Sequence, residues 1–121
     1  MDDRKLLELA AKAAGVEHPG GEHCINGPAL WDCKKLVWWR PLTDDGDALR
    51  LAVLLSLRVE PYTGVKIHNA YPVANVTDVY RLHSYDVKLS ELHGLDQNAA
   101  TRRAIVRAAA EIGKAMQEQP K

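Results

Sequence analysis

The spacing of apolar residues along the chain predicts three helices separated by stretches of alternating polarity. Apolar residues from Leu6 to Ala13 recur at helical spacing, which predicts an amphipathic helix over residues 3–14 that ends at Gly15. Its apolar stripe is narrow, so we expect this helix to pack on the surface of the domain or on a partner.

The most apolar stretch of the chain predicts a central helix over residues 43–57, around which the rest of the fold is expected to be organised. Thr43 or Asp44 is expected to cap its first turn, and the acids that follow suit the positive end of the helix dipole. Only Arg50 and Ser56 interrupt the apolar residues of its second half. We therefore expect this helix to be covered on most faces, between a sheet and either another helix or a partner subunit.

A third helix is predicted from Asp96 or Asn98 to about Met116. Alanine and isoleucine dominate its expected buried face, which comprises Ala104, Ile105, Ala108, Ile112 and Ala115. The many alanines indicate a close approach to the sheet or to a neighbouring helix.

Alternating polar and apolar residues predict the strands. Residues 29–42 are predicted to be extended, after a hairpin turn at Asn26 and Gly27. Residues 58–92 predict a meander of three antiparallel strands paired with their sequence neighbours, one of them over residues 76–83.

This order of elements, together with the composition, predicts one α+β domain over residues 1–121, with three helices packed against an antiparallel β-sheet of three to five strands. The 121 residues are 46% apolar and 26% charged, as expected of a soluble globular protein. The first residues do not resemble a signal peptide, and no apolar stretch has the length that spans a bilayer. We therefore expect a cytoplasmic protein without a membrane partner.

The charge balance argues against a nucleic-acid partner. Sixteen basic and sixteen acidic residues give a formal net charge of zero, whereas a protein that neutralises phosphates usually carries a basic excess. A net charge near zero also lowers the barrier to self-association, which favours a homo-oligomer.

Motifs for metal binding or catalysis are weak. The residues with zinc-binding chemistry, His18, His23, Cys24 and Cys33, have a spacing that matches no common zinc motif. The acids near Asp44 favour helix capping over a cation site. No catalytic motif is recognisable, so we predict a protein that is not an enzyme and needs no metal or cofactor. A small metal-dependent enzyme is the alternative.

Adjacent aromatic residues provide the first candidate contact surface. Trp38 and Trp39 point to opposite faces if they lie in a strand, so one enters the core or both are buried by a covering helix. An outward tryptophan beside Arg40 has the chemistry of a binding hot spot.

Arginines on the third helix provide the second candidate. The basic grouping there comprises Arg102, Arg103, Arg107 and Lys114, with a solvated helix face as the simpler explanation. The order helix, three strands, helix is also that of a double-stranded RNA-binding domain, which contacts phosphates near the start of its last helix. RNA binding is therefore an alternative, although the lysine-rich start typical of such helices is absent.

Two blocks of sequence resemble a family of small uncharacterised proteins from tailed phages and prophages. These are W-x-P-L-T-D-D-G-D-A-L-R-L-A-V at residues 39–53 and A-T-R-R-A-I-V-R-A-A-A-E-I-G at residues 100–113, and the strands V-T-D-V-Y-R-L-H and Y-D-V-K-L extend the similarity. The resemblance implies a phage-encoded accessory protein in the host bacterial cytoplasm. Such a protein would inhibit a host or defence system, by binding an effector protein or by sequestering a nucleotide signal.

The resemblance assigns no activity to individual residues, so the candidate contacts come from the residues themselves. They are Trp38, Trp39, Arg40, Arg102, Arg103 and Arg107. For a nucleotide signal, the arginines would contact phosphates and an aromatic ring would stack on the base. For a protein target, the aromatic residues would anchor the interface.

Overall fold

The computed structural model describes residues 3–17, 25–62, 73–78, 83–88 and 97–118, and these form an α+β fold, as predicted. The helices are α1 (Asp3–Ala14), α2 (Asp45–Leu54) and α3 (Gln97–Glu118). The strands are β1 (Ile25–Asn26), β2 (Ala29–Asp32), β3 (Val37–Trp39), β4 (Leu57–Tyr62), β5 (Val73–Asp78) and β6 (His83–Lys88). Within the described ranges, no helix is both long enough and apolar enough to cross a membrane.

The described strands form two antiparallel sheets of three strands each, and within each sheet the strands pair in sequence order. The first sheet has the order β1-β2-β3 and the second the order β4-β5-β6. The prediction of one continuous strand over residues 76–83 is wrong, because Asp78 at the end of β5 pairs with His83 at the start of β6. The stretch whose polarity alternates therefore belongs to two antiparallel strands, β5 and β6.

The long helix α3 lies at the centre of the fold. It contacts α1, α2 and all three strands of the second sheet. Residues on several of its sides, including Ala104, Val106 and Ala109, are fully buried. Ala115, predicted to lie on the buried face, is exposed. The predicted central position of α2 is therefore wrong, because the element with contacts on most sides is the alanine-rich helix.

The first helix is more deeply buried than its apolar stripe suggests. It spans the predicted residues and ends at Gly15, whose φ of 72° is the left-handed conformation expected after a helix. Leu7 and Ala10 are completely inaccessible to solvent, because α1 packs along α3.

The second helix is capped as predicted but is shorter and less covered. Asp44 is extended, with φ of −119°, and its carboxylate accepts a hydrogen bond from the Asp47 N–H at 2.8 Å, which confirms the cap. The helix ends near Ser56, which has a positive φ of 56°.

The outer side of α2 contradicts the prediction that this helix is covered on most faces. Leu49, Val53 and Leu54 are 63%, 70% and 61% exposed. The helix contacts α3 and β4 through its other side, where Ala48, Leu51 and Ala52 are buried. These exposed residues leave a continuous apolar strip on the surface.

Candidate functional site

The turn between β2 and β3 is held by one buried acid and presents the residues that follow it to solvent. One oxygen of the Asp32 carboxylate accepts hydrogen bonds from the Lys34 N–H at 2.9 Å and the Lys35 N–H at 3.2 Å. The Asp32 carbonyl oxygen accepts a third from the Leu36 N–H at 2.8 Å. Leu36 adopts a left-handed φ of 58° and is 69% exposed, so the turn directs a leucine and two lysines outward.

The two adjacent tryptophans lie on opposite faces of β3, as the alternation of a strand predicts. Trp39 pairs across the sheet with the fully buried Leu30 and packs against the core. Trp38 pairs with Trp31 on the other face and is 36% exposed. The Trp31 and Trp38 rings are 5.4 Å apart at 70°, an edge-to-face arrangement. Trp38 is therefore the outward tryptophan.

We define the hairpin surface as the exposed end and outward face of the β2–β3 hairpin. It consists of Trp31, Lys34, Lys35, Leu36, Val37, Trp38 and Arg40. Residues 33–43 contain three cations and no acid. In the part of the chain that the structure describes, Lys34, Lys35 and Arg40 form no ion pair. The surface is thus both aromatic and basic, in a chain with no net charge.

Three aspartates next to this surface serve the structure of α2. Asp44 caps the helix, and Asp47 accepts the Arg40 N–H at 2.9 Å and a side-chain hydrogen bond from Arg50 at 2.5 Å. The hydrogen bond to Asp47, together with the charge of this carboxylate, raises the pKa of Arg50 above its ordinary value. Asp45 pairs with Arg102. These contacts confirm the capping interpretation and fix the backbone of Arg40 at the start of α2.

Arg102 and Arg103 connect helices within the protein. Arg102 donates to the Leu42 carbonyl oxygen from Nε at 2.9 Å and to the Asp45 carboxylate from Nη1 at 2.5 Å, and its side chain is only 18% exposed. Arg103 donates from Nη1 to the Asp3 carboxylate at 2.7 Å. Arg102 therefore ties α3 to the start of α2, and Arg103 ties α3 to α1. Neither contact includes Trp38 or Arg40.

Arg107 and the zinc candidates complete the list of predicted residues. Arg107 is exposed on α3, and Cys33 is an exposed thiol in the β2–β3 turn. His18, His23 and Cys24 lie outside the described residues. Among the residues that are described, no group of three potential metal ligands comes together.

A groove of about 410 Å³ lies between α2, β4 and the first turns of α3. Its lining is Asp45, Ala48, Leu49, Val59, Asn98, Thr101, Arg102 and Ile105. The ion pair between Asp45 and Arg102 forms part of the wall, so the one cation in the lining is already neutralised. No local sequence pattern predicts this groove, because α2 and β4 form one part of its lining and α3, which follows only after β5 and β6, forms the other.

The order α2, β4, β5, β6, α3 on which the RNA-binding alternative rests is present in the structure. The predicted phosphate contacts near the start of α3 are Arg102 and Arg103. Both already hydrogen-bond to carboxylates of the same chain, so binding RNA through them requires two ion pairs to break. The hairpin surface therefore provides the better-supported binding site.

The sequence and the structure were compared with known proteins. No protein-family model, curated protein or solved structure matches this chain. The resemblance of residues 39–53 and 100–113 to small phage proteins therefore stays a prediction.

Proposed function

We propose that this chain is a non-enzymatic binding protein that recognises another protein through the hairpin surface. The observation that carries the proposal is the edge-to-face pair of Trp31 and Trp38, which presents an aromatic surface next to the turn of the exposed Leu36. Val37 is exposed on the other face of β3. Fully burying one such aliphatic side chain contributes about 1.5–3 kcal/mol. Tryptophan is also among the residues most enriched at binding hot spots. A partner that covers this surface thus gains affinity from residues that the domain leaves in water.

The resemblance to small phage proteins suggests the biological setting. In this proposal the chain is a phage-encoded accessory protein in the host bacterial cytoplasm, and it inhibits a host or defence protein by binding it. A protein target is favoured over a nucleotide signal because two of the four expected phosphate contacts, Arg102 and Arg103, already bond to Asp45 and Asp3. Phosphate binding would have to compete with these ion pairs.

The proposal also includes self-association through the outer side of α2. Leu49, Val53 and Leu54 form an apolar strip there, and the net charge of zero gives two copies no long-range repulsion. Self-association is tested by comparing the sedimentation of the wild type with that of the Val53→Glu variant. Dissociation of an oligomer in the variant is the expected result, whereas a wild type that sediments as a monomer contradicts self-association.

Affinity capture followed by quantitative binding tests the main proposal. The tagged chain is used to capture proteins from phage-infected bacteria, and the affinity of the purified partner is then measured for three forms. We expect Trp38→Ala to weaken binding at least about 10-fold, the equivalent of about 1.4 kcal/mol. Met116→Ala is the control, because Met116 is 43% exposed but lies on α3.

Two outcomes would count against a protein-binding hairpin. Equal affinity of the wild type and Trp38→Ala would show that the partner does not use this surface. Binding to duplex RNA that weakens steeply with salt, without a protein partner, would instead support the RNA-binding alternative.

A further inference from the structure

We propose that the partner adds an extended, acidic segment to the outer edge of β3, so that the first sheet gains a strand on binding. This inference rests on the proposed function and deepens it by naming the chemistry of the partner. The hairpin surface then contributes backbone hydrogen bonds from the edge, aromatic contact from Trp38 and charge attraction from the cations around it.

The edge of β3 is open in the described structure. In the sheet order β1-β2-β3, β3 pairs with β2, and among the described residues no strand lies on its other side. In an antiparallel pair, alternate residues bond to the neighbour, so the remaining N–H and C=O groups of Val37–Trp39 face outward. Such an edge is a template for an added strand.

Hydrogen bonds at both ends limit the length of this edge. Before β3, the Leu36 N–H donates to the Asp32 carbonyl oxygen at 2.8 Å. After β3, the Arg40 N–H donates to the Asp47 carboxylate at 2.9 Å, and Pro41 has no N–H to offer. The outward N–H and C=O groups that a partner can reach are therefore confined to the three residues of β3. An edge this short binds weakly through its backbone alone, so side chains must supply much of the affinity.

The charges around the edge determine which segment it attracts. Lys34 and Lys35 precede β3 and Arg40 follows it, all three exposed. The nearest preceding acid, Asp32, is buried with its carboxylate bonded to the N–H groups of the turn. At the other end of the edge, the Asp47 carboxylate that accepts the Arg40 N–H is paired with Arg50. Lys34 and Lys35, without an ion pair in the described part of the chain, therefore supply most of the field that would attract an acidic segment and repel a basic one.

The two faces of β3 define the side chains of the segment. Trp38 and Trp31 form an aromatic face, and the neighbouring Val37 is 51% exposed on the other face. A strand that pairs with β3 places alternate side chains beside Trp38. A segment that alternates β-branched apolar and acidic residues places its apolar side chains beside Trp38 and its acidic side chains on the other face, with Lys34 and Lys35 just before the first residue of the edge.

A peptide series tests this inference on the full chain. The probe is a peptide of about six residues that alternates glutamate and valine, with both ends blocked. One control replaces glutamate by lysine, and a second keeps the side chains but carries N-methyl groups on alternate backbone nitrogens. Tryptophan fluorescence gives affinities up to about 1 mM peptide. Amide hydrogen exchange gives the protection of residues 37–39.

We expect the glutamate–valine peptide to bind at least about 10-fold more tightly than either control, because the lysine peptide carries the opposite charge and the N-methylated peptide lacks strand hydrogen bonds. Amide hydrogen exchange within β3 should slow when the glutamate–valine peptide is bound. Lys34→Glu combined with Lys35→Glu should weaken binding, whereas Lys114→Glu on α3 should not. Equal binding of the N-methylated peptide, or no binding of any peptide at about 1 mM, would overturn strand addition.

Further outcomes separate this inference from the proposed function. A captured partner that requires Trp38 but leaves the amides of β3 unprotected would overturn strand addition alone. A partner that binds equally without Trp38 would overturn both. Tighter binding of a single-stranded oligonucleotide than of the acidic peptide would show that the surface recognises nucleic acid and not an acidic strand.

Discussion

The carbonyl group of Leu9 in α1 lies where a side chain at Gly113 in α3 would begin. A Cβ atom added at Gly113 would overlap the Leu9 carbonyl oxygen and would lie 2.8 Å from its carbonyl carbon. Both residues are buried. The two helices therefore touch through their backbones at this point, which explains why a glycine occurs inside a helix that is otherwise rich in alanine.

This contact predicts that Gly113→Ala destabilises the fold. In an exposed helix the same change would stabilise by about 1 kcal/mol, through helix propensity. Here the methyl group has no space, and overpacking typically costs about 1–3 kcal/mol, so we expect a net loss of up to about 2 kcal/mol in the free energy of unfolding. Urea denaturation measures it. Ala115→Gly, at an exposed position of α3, is the propensity control, and a stabilised Gly113→Ala variant would contradict the contact.

The sequence predicts the helices well because each has a local signal. Helical spacing, Asp44 as a cap and Gly15 as a stop are all readable within a few residues, and the structure contains each of them. The depth of burial is not local. Leucine-rich α2 carries an exposed strip, whereas alanine-rich α3 is central, because burial depends on which elements meet and not on hydrophobicity alone.

The candidate site also combines features that the sequence predicts with features that it does not. Strand alternation predicts that Trp38 and Trp39 face opposite sides, but only the position of the core shows that Trp38 is outward. The partners of the arginines could not be predicted. Arg102 and Asp45 are 57 residues apart in the chain, and Arg103 pairs with an acid 100 residues away. Contacts at such separations have no signature in a single sequence.

Replacing Ser56 tests the strained end of α2. Its φ of 56° is left-handed, a conformation that disfavours residues with a side chain by about 1–2 kcal/mol and that glycine adopts freely. Glycine also loses more entropy on folding, so we expect Ser56→Gly to raise the free energy of unfolding by about 0.5–1 kcal/mol. Ser56→Val should lower it, because branching at Cβ increases the strain. Thermal unfolding measures the melting temperature, which should rise in Ser56→Gly and fall in Ser56→Val. A shift of both variants in the same direction would refute backbone strain at Ser56.

Replacing Arg102 tests its structural role between α2 and α3. Arg102→Ala leaves the carbonyl oxygen of Leu42 and the carboxylate of Asp45 without their donor, so we expect a loss of about 1–3 kcal/mol in unfolding free energy. Arg102→Lys should retain only part of the stability that Arg102→Ala loses, because one ammonium group does not reproduce the two-nitrogen geometry of a guanidinium. Arg4→Ala is the matched control. Arg4 pairs with Glu8 on an exposed surface, where loss of the pair costs under about 0.5 kcal/mol. Equal effects of the two alanine variants in urea denaturation would show that the Arg102 contacts contribute no more than a surface pair.

The two adjacent tryptophans should respond differently to the same substitution. Trp39→Ala removes packing against Leu30 and the core, and we expect it to lower the free energy of unfolding by about 2–3 kcal/mol. Trp38→Ala removes mainly the edge-to-face contact with Trp31, which contributes about 0.5–1.5 kcal/mol. Urea denaturation gives both values, and near-ultraviolet circular dichroism reports loss of the Trp31–Trp38 pair. Trp38→Phe should retain most of the stability, since a smaller ring can still approach Trp31. A larger loss for Trp38→Ala than for Trp39→Ala would mean that Trp38 belongs to the core, and the hairpin surface would then lose its aromatic anchor.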